Sequence, residues 1–329
     1  ATVLGKKKDV KKYGQKAEAL KKAINDNFWV EEDGYYASYL YGRQNLTRTQ
    51  QSETLGESFC VLFGIADEER AAKVISSMPV GEFGPPIFSP QIVSQPDYHN
   101  NGVWPYVTSF WGKAAAKVGN ETALMHALAC NVRTASIYAT NYENYSFNTG
   151  NPYTTQINSP NMLWGLSGFM GLFHRTFFGL EFTKEGLALK PFVPTVLAGT
   201  RKLEAFPYRG MKLDITVSGS GNEIASCLVD GKEAEAFIPA DWTGNHSIEI
   251  VMKGEHKPSS VNMVGYIGMP EVPAVKAEAG KLQWNAISGA AKYWVLKDGQ
   301  KVTETTSCSY QIQGDGEYQV IAVSDKGVR

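Results

Sequence analysis

The most reactive candidate in the sequence is a carboxylate in a polar, aromatic loop. Glu143 lies within residues 142–150, and a second polar stretch at residues 158–168 follows it. A carboxylate in such a loop, at the mouth of a helix, can stay ionised and accept a proton from water. An exposed loop acid without a catalytic role is the alternative that composition alone favours. Glu143 is therefore a candidate general base. The residues around it are needed to distinguish this role from that of a non-catalytic loop acid.

A second aromatic and polar stretch, residues 97–105, immediately precedes a predicted helix. It contains four side chains suited to binding a sugar: Tyr98, His99, Asn101 and Trp104. Aromatic faces stack on the C–H faces of pyranose rings, and polar edges reach hydroxyl groups. Tyr41 and Arg43, at the mouth of a predicted hairpin, are further candidates for sugar contact, weighed evenly against simple hairpin packing.

Both stretches resemble segments of six-hairpin glycosidases. The pattern Glu143, Thr149-Gly150 and Pro160-Asn161-x-x-Trp164 is similar to the Glu…Thr-Gly…Pro-Asn-x-x-Trp segment of glycoside hydrolase family 63 and of mannosylglycerate hydrolase-like enzymes, with glucoamylases more distant. Residues 97–105 resemble the loop Tyr-Trp-Arg-Gly-Pro-Val-Trp or Tyr-His-x-Gly-x-Val-Trp-Pro, which lines the innermost sugar subsite of that superfamily.

The resemblance implies a role for each matching residue. Glu143 takes the place of the general base, Trp104 stacks on a sugar, and His99 and Asn101 hydrogen-bond to its hydroxyls. Tyr98 and Trp164 complete the candidate binding set. Between His99 and Asn101 the chain departs from the Trp-Arg-Gly version of the loop, which leaves the identity of the sugar open.

The expected activity is that of an inverting, exo-acting glycosidase on α-linked gluco- or manno-configured oligosaccharides. The general acid is expected outside this chain, because the local candidates Asp33 and Asp97 lack the expected context. A phosphorylase on the same barrel and a non-catalytic glycan-binding protein are the alternatives. The resemblance implies no organic cofactor and no catalytic metal ion.

Apolar spacing predicts the elements that would position these residues. Helices are expected at 6–25, 52–64, around 71–78, 104–118, 121–139 and 159–178, with a hairpin at 27–40 and long loops at 79–102 and 140–158. Glu53 and Glu57, near the start of the second helix, are expected to complement its dipole. Six helices are half of the twelve in an (α/α)6 barrel, so the missing N-terminal half, in the same gene or a second chain, is an expected partner.

The fold class is therefore expected to be multidomain α and β. Half of an (α/α)6 toroid at residues 1–180 precedes an antiparallel β-sandwich at 181–256, a linker at 257–272, and a small fibronectin type III-like β-sandwich at 273–329. Strand alternation and turns such as Asp230-Gly231 support the change of character after Gly179.

Composition narrows the class of partner. A net charge of -1 argues against nucleic acid, because duplex binding needs a concentrated basic surface. The four cysteines form no CxxC pair, and no apolar run is long enough to span a bilayer. The partner that the resemblance implies is an oligosaccharide or polysaccharide substrate. The fibronectin-like end suggests a secreted or periplasmic location by association with similar domain architectures.

Overall fold

The computed structural model describes residues 1–255 and 258–329. Helices occupy the first part of the chain, as the apolar spacing predicted. They are α1 (Lys7–Asn27), α2 (Thr54–Leu62), α3 (Glu68–Ser77), α4 (Pro105–Lys117), α5 (Glu121–Tyr138) and α6 (Leu163–Leu172), which continues into a π-helical turn at Phe173–Phe177.

Local side-chain chemistry sets where these helices begin. The Glu53 carboxylate accepts hydrogen bonds from the backbone N–H groups of Leu55 and Gly56, and so caps α2. Pro105 occupies the first turn of α4, where its missing N–H costs nothing. The sixth helix starts later than its predicted residue 159, because Asn161 adopts a left-handed conformation with φ 58°.

Helix α4 is the centre of the helical domain. It packs against α2 on one side, α6 on the other and α5 on a third. Trp111 of α4 is fully buried in the core that these helices share. Among the described residues the helices do not close into a ring.

Short strands cross the loops between the helices. They are β1 (Trp29–Val30), β2 (Tyr35–Tyr36), β3 (Leu40–Tyr41), β4 (Thr47–Arg48), β5 (Ser52–Glu53), β6 (Pro79–Val80), β7 (Phe88–Ser89), β8 (Gln91–Ile92), β9 (Gly102–Val103) and β10 (Tyr145–Ser146). The antiparallel pairs are β1–β2, β3–β4, β5–β7 and β9–β10. The β9–β10 pair joins the two long loops predicted to carry function.

The second domain packs a three-stranded sheet against a five-stranded one. Its strands are β11 (Leu180–Phe182), β12 (Gly186–Leu189), β13 (Gly199–Tyr208), β14 (Met211–Gly219), β15 (Glu223–Val229), β16 (Lys232–Glu233), β17 (Phe237–Pro239) and β18 (Gly244–Lys253). The sheet orders are β11-β12-β17 and β13-β14-β18-β15-β16. Leu187, Ile215 and Ile238 are among the side chains buried between the sheets.

The expectation of a purely antiparallel sandwich is wrong in one place. Strand β18 pairs antiparallel with β15 but parallel with β14. It lies between two strands that run in opposite directions, so it can be antiparallel to only one of them.

The segment expected to be a linker returns to the helical domain. Its strands β19 (Asn262–Met263) and β20 (Gly268–Met269) pair in parallel with β6 and β8. The expected boundary between the second domain and the linker, at His256 and Lys257, lies outside the described residues. From Pro258 onwards the segment is therefore anchored along the loop that leads to Tyr98.

The C-terminal module, residues 273–329, consists of two three-stranded antiparallel sheets. Its strands are β21 (Lys276–Glu278), β22 (Lys281–Gln283), β23 (Lys292–Lys297), β24 (Gln300–Thr305), β25 (Ser309–Gln311) and β26 (Tyr318–Val323). The sheet orders are β21-β22-β25 and β24-β23-β26. Trp284, Tyr293 and Val295 form the centre of its core.

Candidate active site

Glu143 lies in a loop whose backbone is fixed by buried amides. Its own N–H donates to the carbonyl oxygen of Ser159 at 3.0 Å. The Asn144 side chain is fully buried and donates to the Ile157 carbonyl at 3.0 Å, while Asn158 donates back to the Asn144 carbonyl at 2.7 Å. The half-buried Glu143 side chain therefore stands on a backbone held from both sides.

The second loop folds back on itself at Tyr98. The Tyr98 carbonyl oxygen accepts a hydrogen bond from the indole Nε1 of Trp104 at 3.0 Å. Gly102 lies under the same carbonyl, so close that a Cβ there would be 1.8 Å from the oxygen. Glycine is thus the residue that lets this loop turn tightly before α4 begins.

Asp97 ties the two loops together. Its carboxylate accepts from Asn101 Nδ2 at 2.7 Å within its own loop, and from Ser146 Oγ at 2.7 Å in the Glu143 loop. Phe147 N also donates to the Asn101 carbonyl at 2.8 Å. These contacts hold the expected base and the expected sugar-binding loop in one arrangement.

An aromatic wall lies beside Glu143. The imidazole of His99 stacks on Trp104, with ring centroids 4.8 Å apart and an interplanar angle of 25°. Tyr98 meets Trp104 edge-on at 5.2 Å, and Trp164 does so at 5.4 Å. Tyr106 stacks under Trp164 at 5.0 Å. We call these five side chains the aromatic wall.

Two of the expected sugar contacts are internal in this structure. Trp104 is only 4% exposed, because His99 covers its face, so the expected open stacking face is absent. Asn101 is 3% exposed and its amide is used by Asp97. Of the wall, the exposed side chains are His99 and Trp164, the latter 37% exposed.

Tyr41 and Arg43 lie elsewhere. The backbone N–H of Arg43 donates to Glu317 of the C-terminal module at 2.7 Å. Burial raises the pKa of Tyr41 to about 12, and the charge of Arg329 opposes this increase. The hairpin that carries them packs on this module, and no described contact joins either residue to Glu143 or the aromatic wall.

The phenol of Tyr98 lies next to the Glu143 carboxylate. The pKa of Tyr98 is raised by burial and, in addition, by the neighbouring Glu143 carboxylate, which accepts a hydrogen bond from the neutral phenol. Tyr98 therefore stays protonated and donates to the carboxylate.

A second carboxyl group, Glu53, borders the wall. Burial raises its pKa, while the N–H groups of Gly56 and Leu55 and the nearby His99 lower it. Glu53 lies at the start of α2, where an acid was expected to complement the helix dipole; its capping hydrogen bonds and its proximity to His99 were not predicted. Glu57, one turn on, is fully buried and accepts from Tyr36 N at 2.9 Å; burial raises its pKa well above its ordinary value.

The two local candidates for the general acid, Asp33 and Asp97, both lie in structural contacts. Asp97 holds the two loops together through Asn101 and Ser146, and Asp33 lies near Arg329, where burial raises the pKa of Asp33.

Across residues 1–255 and 258–329, no three His, Cys, Asp or Glu side chains are grouped closely enough to hold a metal ion. In the same ranges no helix is both long and apolar enough to cross a bilayer. The cysteines are unpaired.

One family model matches the part of the chain that contains this site. Residues 1–164 match the mannosylglycerate hydrolase MGH1-like glycoside hydrolase domain, a span that includes Glu143, the Asp97 tie and the whole aromatic wall. A comparison with curated proteins found no match. Residues 1–164 thus form a glycoside hydrolase domain of the mannosylglycerate hydrolase MGH1-like family.

Proposed function

We propose that this chain is part of an inverting, exo-acting glycosidase for α-linked gluco- or manno-configured oligosaccharides, with Glu143 as the general base. The observation that carries the proposal is the Glu143 carboxylate beside the donating Tyr98 hydroxyl, on a fixed loop next to the exposed rings of His99 and Trp164. A secreted or periplasmic location is part of the same proposal.

The chemistry follows from a single displacement at the anomeric carbon. Glu143 takes a proton from water as the water oxygen bonds to that carbon, and the bond to the leaving oxygen breaks on the opposite face. A general acid outside this chain gives its proton to the leaving oxygen. The two carboxyl groups of such a pair stand about 6.5–9.5 Å apart, which leaves room for the water.

The other half of the barrel is the partner we propose for the open helical domain. The apolar stripe of α1 faces solvent, with Tyr13 57% and Leu20 61% exposed. Phe63, just after α2, is 72% exposed, and Leu163 at the start of α6 is 76% exposed. These exposed apolar side chains are the ones that we propose the other half of the barrel covers. The missing half belongs to the same gene or to a second chain.

The test is a matched pair of variants in the protein with both halves of the barrel. Glu143→Gln removes the proton acceptor but keeps the shape, and we expect turnover of α-linked gluco- and manno-disaccharides to fall about 10²–10⁴-fold. Glu82→Gln, an exposed acid of the same domain, is the control and should hydrolyse normally.

The products separate this proposal from its alternatives. NMR of the first-formed sugar should show the β-anomer from an α-linked substrate. Release of a sugar phosphate only when phosphate is added would identify a phosphorylase instead. Sugar binding without turnover in the unmodified protein would identify a glycan-binding protein, and near-normal turnover by Glu143→Gln would remove Glu143 from the mechanism.

A further inference from the structure

A cluster of three tyrosines lies on the loop of the candidate base and takes no part in the proposed chemistry. The rings of Tyr138, Tyr142 and Tyr153 lie 5.7–5.9 Å apart, and each pair meets at 80–86°. The hydroxyl groups of Tyr142 and Tyr153 are 3.3 Å apart and hydrogen-bonded. We call these three side chains the tyrosine platform.

The outermost ring of the platform is exposed although its backbone is fixed. Tyr153 is 71% exposed. It lies in a 3-10 turn at Pro152–Thr154, and its own N–H donates to the capping side chain of Asn151, to Oδ1 at 2.8 Å. Asn158 donates to the Pro152 carbonyl at 2.8 Å, and Tyr138 donates to the Gly150 carbonyl at 3.2 Å.

A fixed, exposed aromatic ring is well suited to binding. The backbone loses little further freedom when a ligand arrives, so the contact is not offset by the entropy of ordering a loop. The ring also offers a flat apolar face together with a hydroxyl group, the combination that a pyranose presents in return.

The platform and the base belong to one hydrogen-bonded loop. Tyr142 directly precedes Glu143, and consecutive Cα atoms are about 3.8 Å apart. The same Asn158 side chain donates to the carbonyl of Asn144, next to the base, and to that of Pro152, next to Tyr153. A ring bound on the platform would therefore neighbour the ring held at Glu143.

We propose that the tyrosine platform binds a second pyranose ring of the substrate, adjacent to the ring whose bond is cleaved. The substrate is then an oligosaccharide recognised through at least two rings, and Tyr153 is a residue that determines the preference for chain length. This inference rests on the proposed glycosidase function and names the class of its substrate more closely.

The experiment uses Glu143→Gln as the background, so that bound sugars are not hydrolysed. Calorimetry measures the Kd of glucose, of mannose and of the α-linked di- and trisaccharides of each. Adding Tyr153→Ala should weaken the binding of the di- and trisaccharides about three- to tenfold and leave the monosaccharides unchanged. Tyr153→Phe keeps the ring and should retain most of the affinity.

Trp242→Ala removes an exposed aromatic ring of the second domain and serves as the control for a general loss of aromatic surface. The inference is overturned if Tyr153→Ala leaves the Kd of every sugar unchanged, or weakens mono- and trisaccharides equally. If no sugar binds to the background protein and the unmodified protein hydrolyses none, the proposed function fails as well. If sugars bind but their binding does not depend on Tyr153, the role of the tyrosine platform is ruled out and the proposed glycosidase function is not. A circular dichroism melt checks that each variant is folded.

Discussion

The carbonyl oxygen of Tyr98 lies where the side chain of any residue other than glycine at position 102 would begin. A Cβ on Gly102 would be 1.8 Å from that oxygen and 3.3 Å from the Trp104 Nε1 that donates to it. The same short loop therefore needs a glycine for its turn and a tryptophan for its closing hydrogen bond.

Gly102→Ala should open this loop. The backbone at Tyr98 has to shift, and overpacking of this kind costs about 1–3 kcal/mol of unfolding free energy. Sugar binding should be weakened as well, because Tyr98 and His99 move with the loop. Urea unfolding measures the first effect and calorimetry the second. Gly171→Ala, in a helix with open space around it, is the control and should be neutral or stabilising by about 0.5–1 kcal/mol.

Asp97→Ala should loosen both functional loops at once. It leaves Asn101 Nδ2 and Ser146 Oγ without their acceptor, and an unsatisfied buried donor costs about 1–3 kcal/mol. Asp97→Asn should restore most of the stability, because an amide can accept from Asn101 and donate to the Ser146 hydroxyl. Thermal melts compare the variants. Full stability of Asp97→Asn together with complete loss of turnover would instead make Asp97 the general acid.

The second domain should lose stability as the pH rises above 6.5. His246 Nδ1 lies 2.7 Å from Asp230 Oδ2, and its Nε2 lies 3.1 Å from the Thr243 carbonyl, so only the doubly protonated ring donates to both. The hydrogen bond to Asp230, followed by that to Thr243, raises the pKa of His246 above its ordinary 6.5. Because the folded pKa is the higher one, this stabilisation is complete below pH 6.5 and is lost as the pH rises through the folded pKa.

Melting temperatures between pH 5.5 and 8.5 measure that loss. Asp230 is partly exposed, so the effect should be small and should shrink further at high salt. His246→Gln should flatten the difference between the two ends of the range. An unchanged pH dependence in that variant would show that other groups cause it.

Glu317→Gln should release the hairpin of β3 and β4 from the C-terminal module. The carboxylate accepts from the N–H groups of Arg43, Gln44 and Asn45 at 2.7, 3.0 and 2.8 Å, and these bonds lower the pKa of Glu317 to about 2. The amide cannot accept all three as strongly, so hydrogen exchange at residues 43–45 should accelerate. The stabilisation by the ionised Glu317 carboxylate is present above its ordinary pKa of 4.5 and is lost only as the pH falls towards 2. In the unmodified protein, titration of Glu317 should therefore not change the exchange protection between pH 6 and 8.

Local patterns in the sequence were sufficient to predict the helices and hairpins, but not which parts of the chain pack against them. The spacing of Val10, Tyr13 and Leu20 predicted α1 correctly, yet it could not tell that this stripe faces solvent here, because burial depends on what packs against it. The Asp33-Gly34 turn between two aromatic runs predicted the hairpin at residues 27–40. A site role for Tyr41 and Arg43 was inferred from the same region, and the decisive contact, with Glu317, comes from a residue more than 270 positions away.

In the candidate site, too, the loops could be predicted from the sequence, but the contacts between their side chains could not. The loop of Glu143 and the loop of Tyr98 were both identified from residue types, and β9 and β10 pair them. The covering of Trp104 by His99 depends on side-chain packing that no spacing rule describes. Glu53 was predicted to complement the dipole of α2, and its approach to His99, a residue 46 positions further along the chain, is a tertiary contact that local composition does not specify.

The return of residues 258–272 to the helical domain has a consequence for how the chain is partitioned. The C-terminal module touches the first domain through Glu317 and through Arg329, whose N–H donates to Gln50 at 2.9 Å. The strands β19 and β20 run along that same first domain. In topological terms the β-sandwich is thus inserted between the helical domain and residues 258–329, which contact each other directly. Two parts of the chain that are neighbours in space are therefore separated in sequence by a whole domain. A chimaera that exchanges this sandwich for an unrelated domain of similar end-to-end span would keep the C-terminal module in its present place.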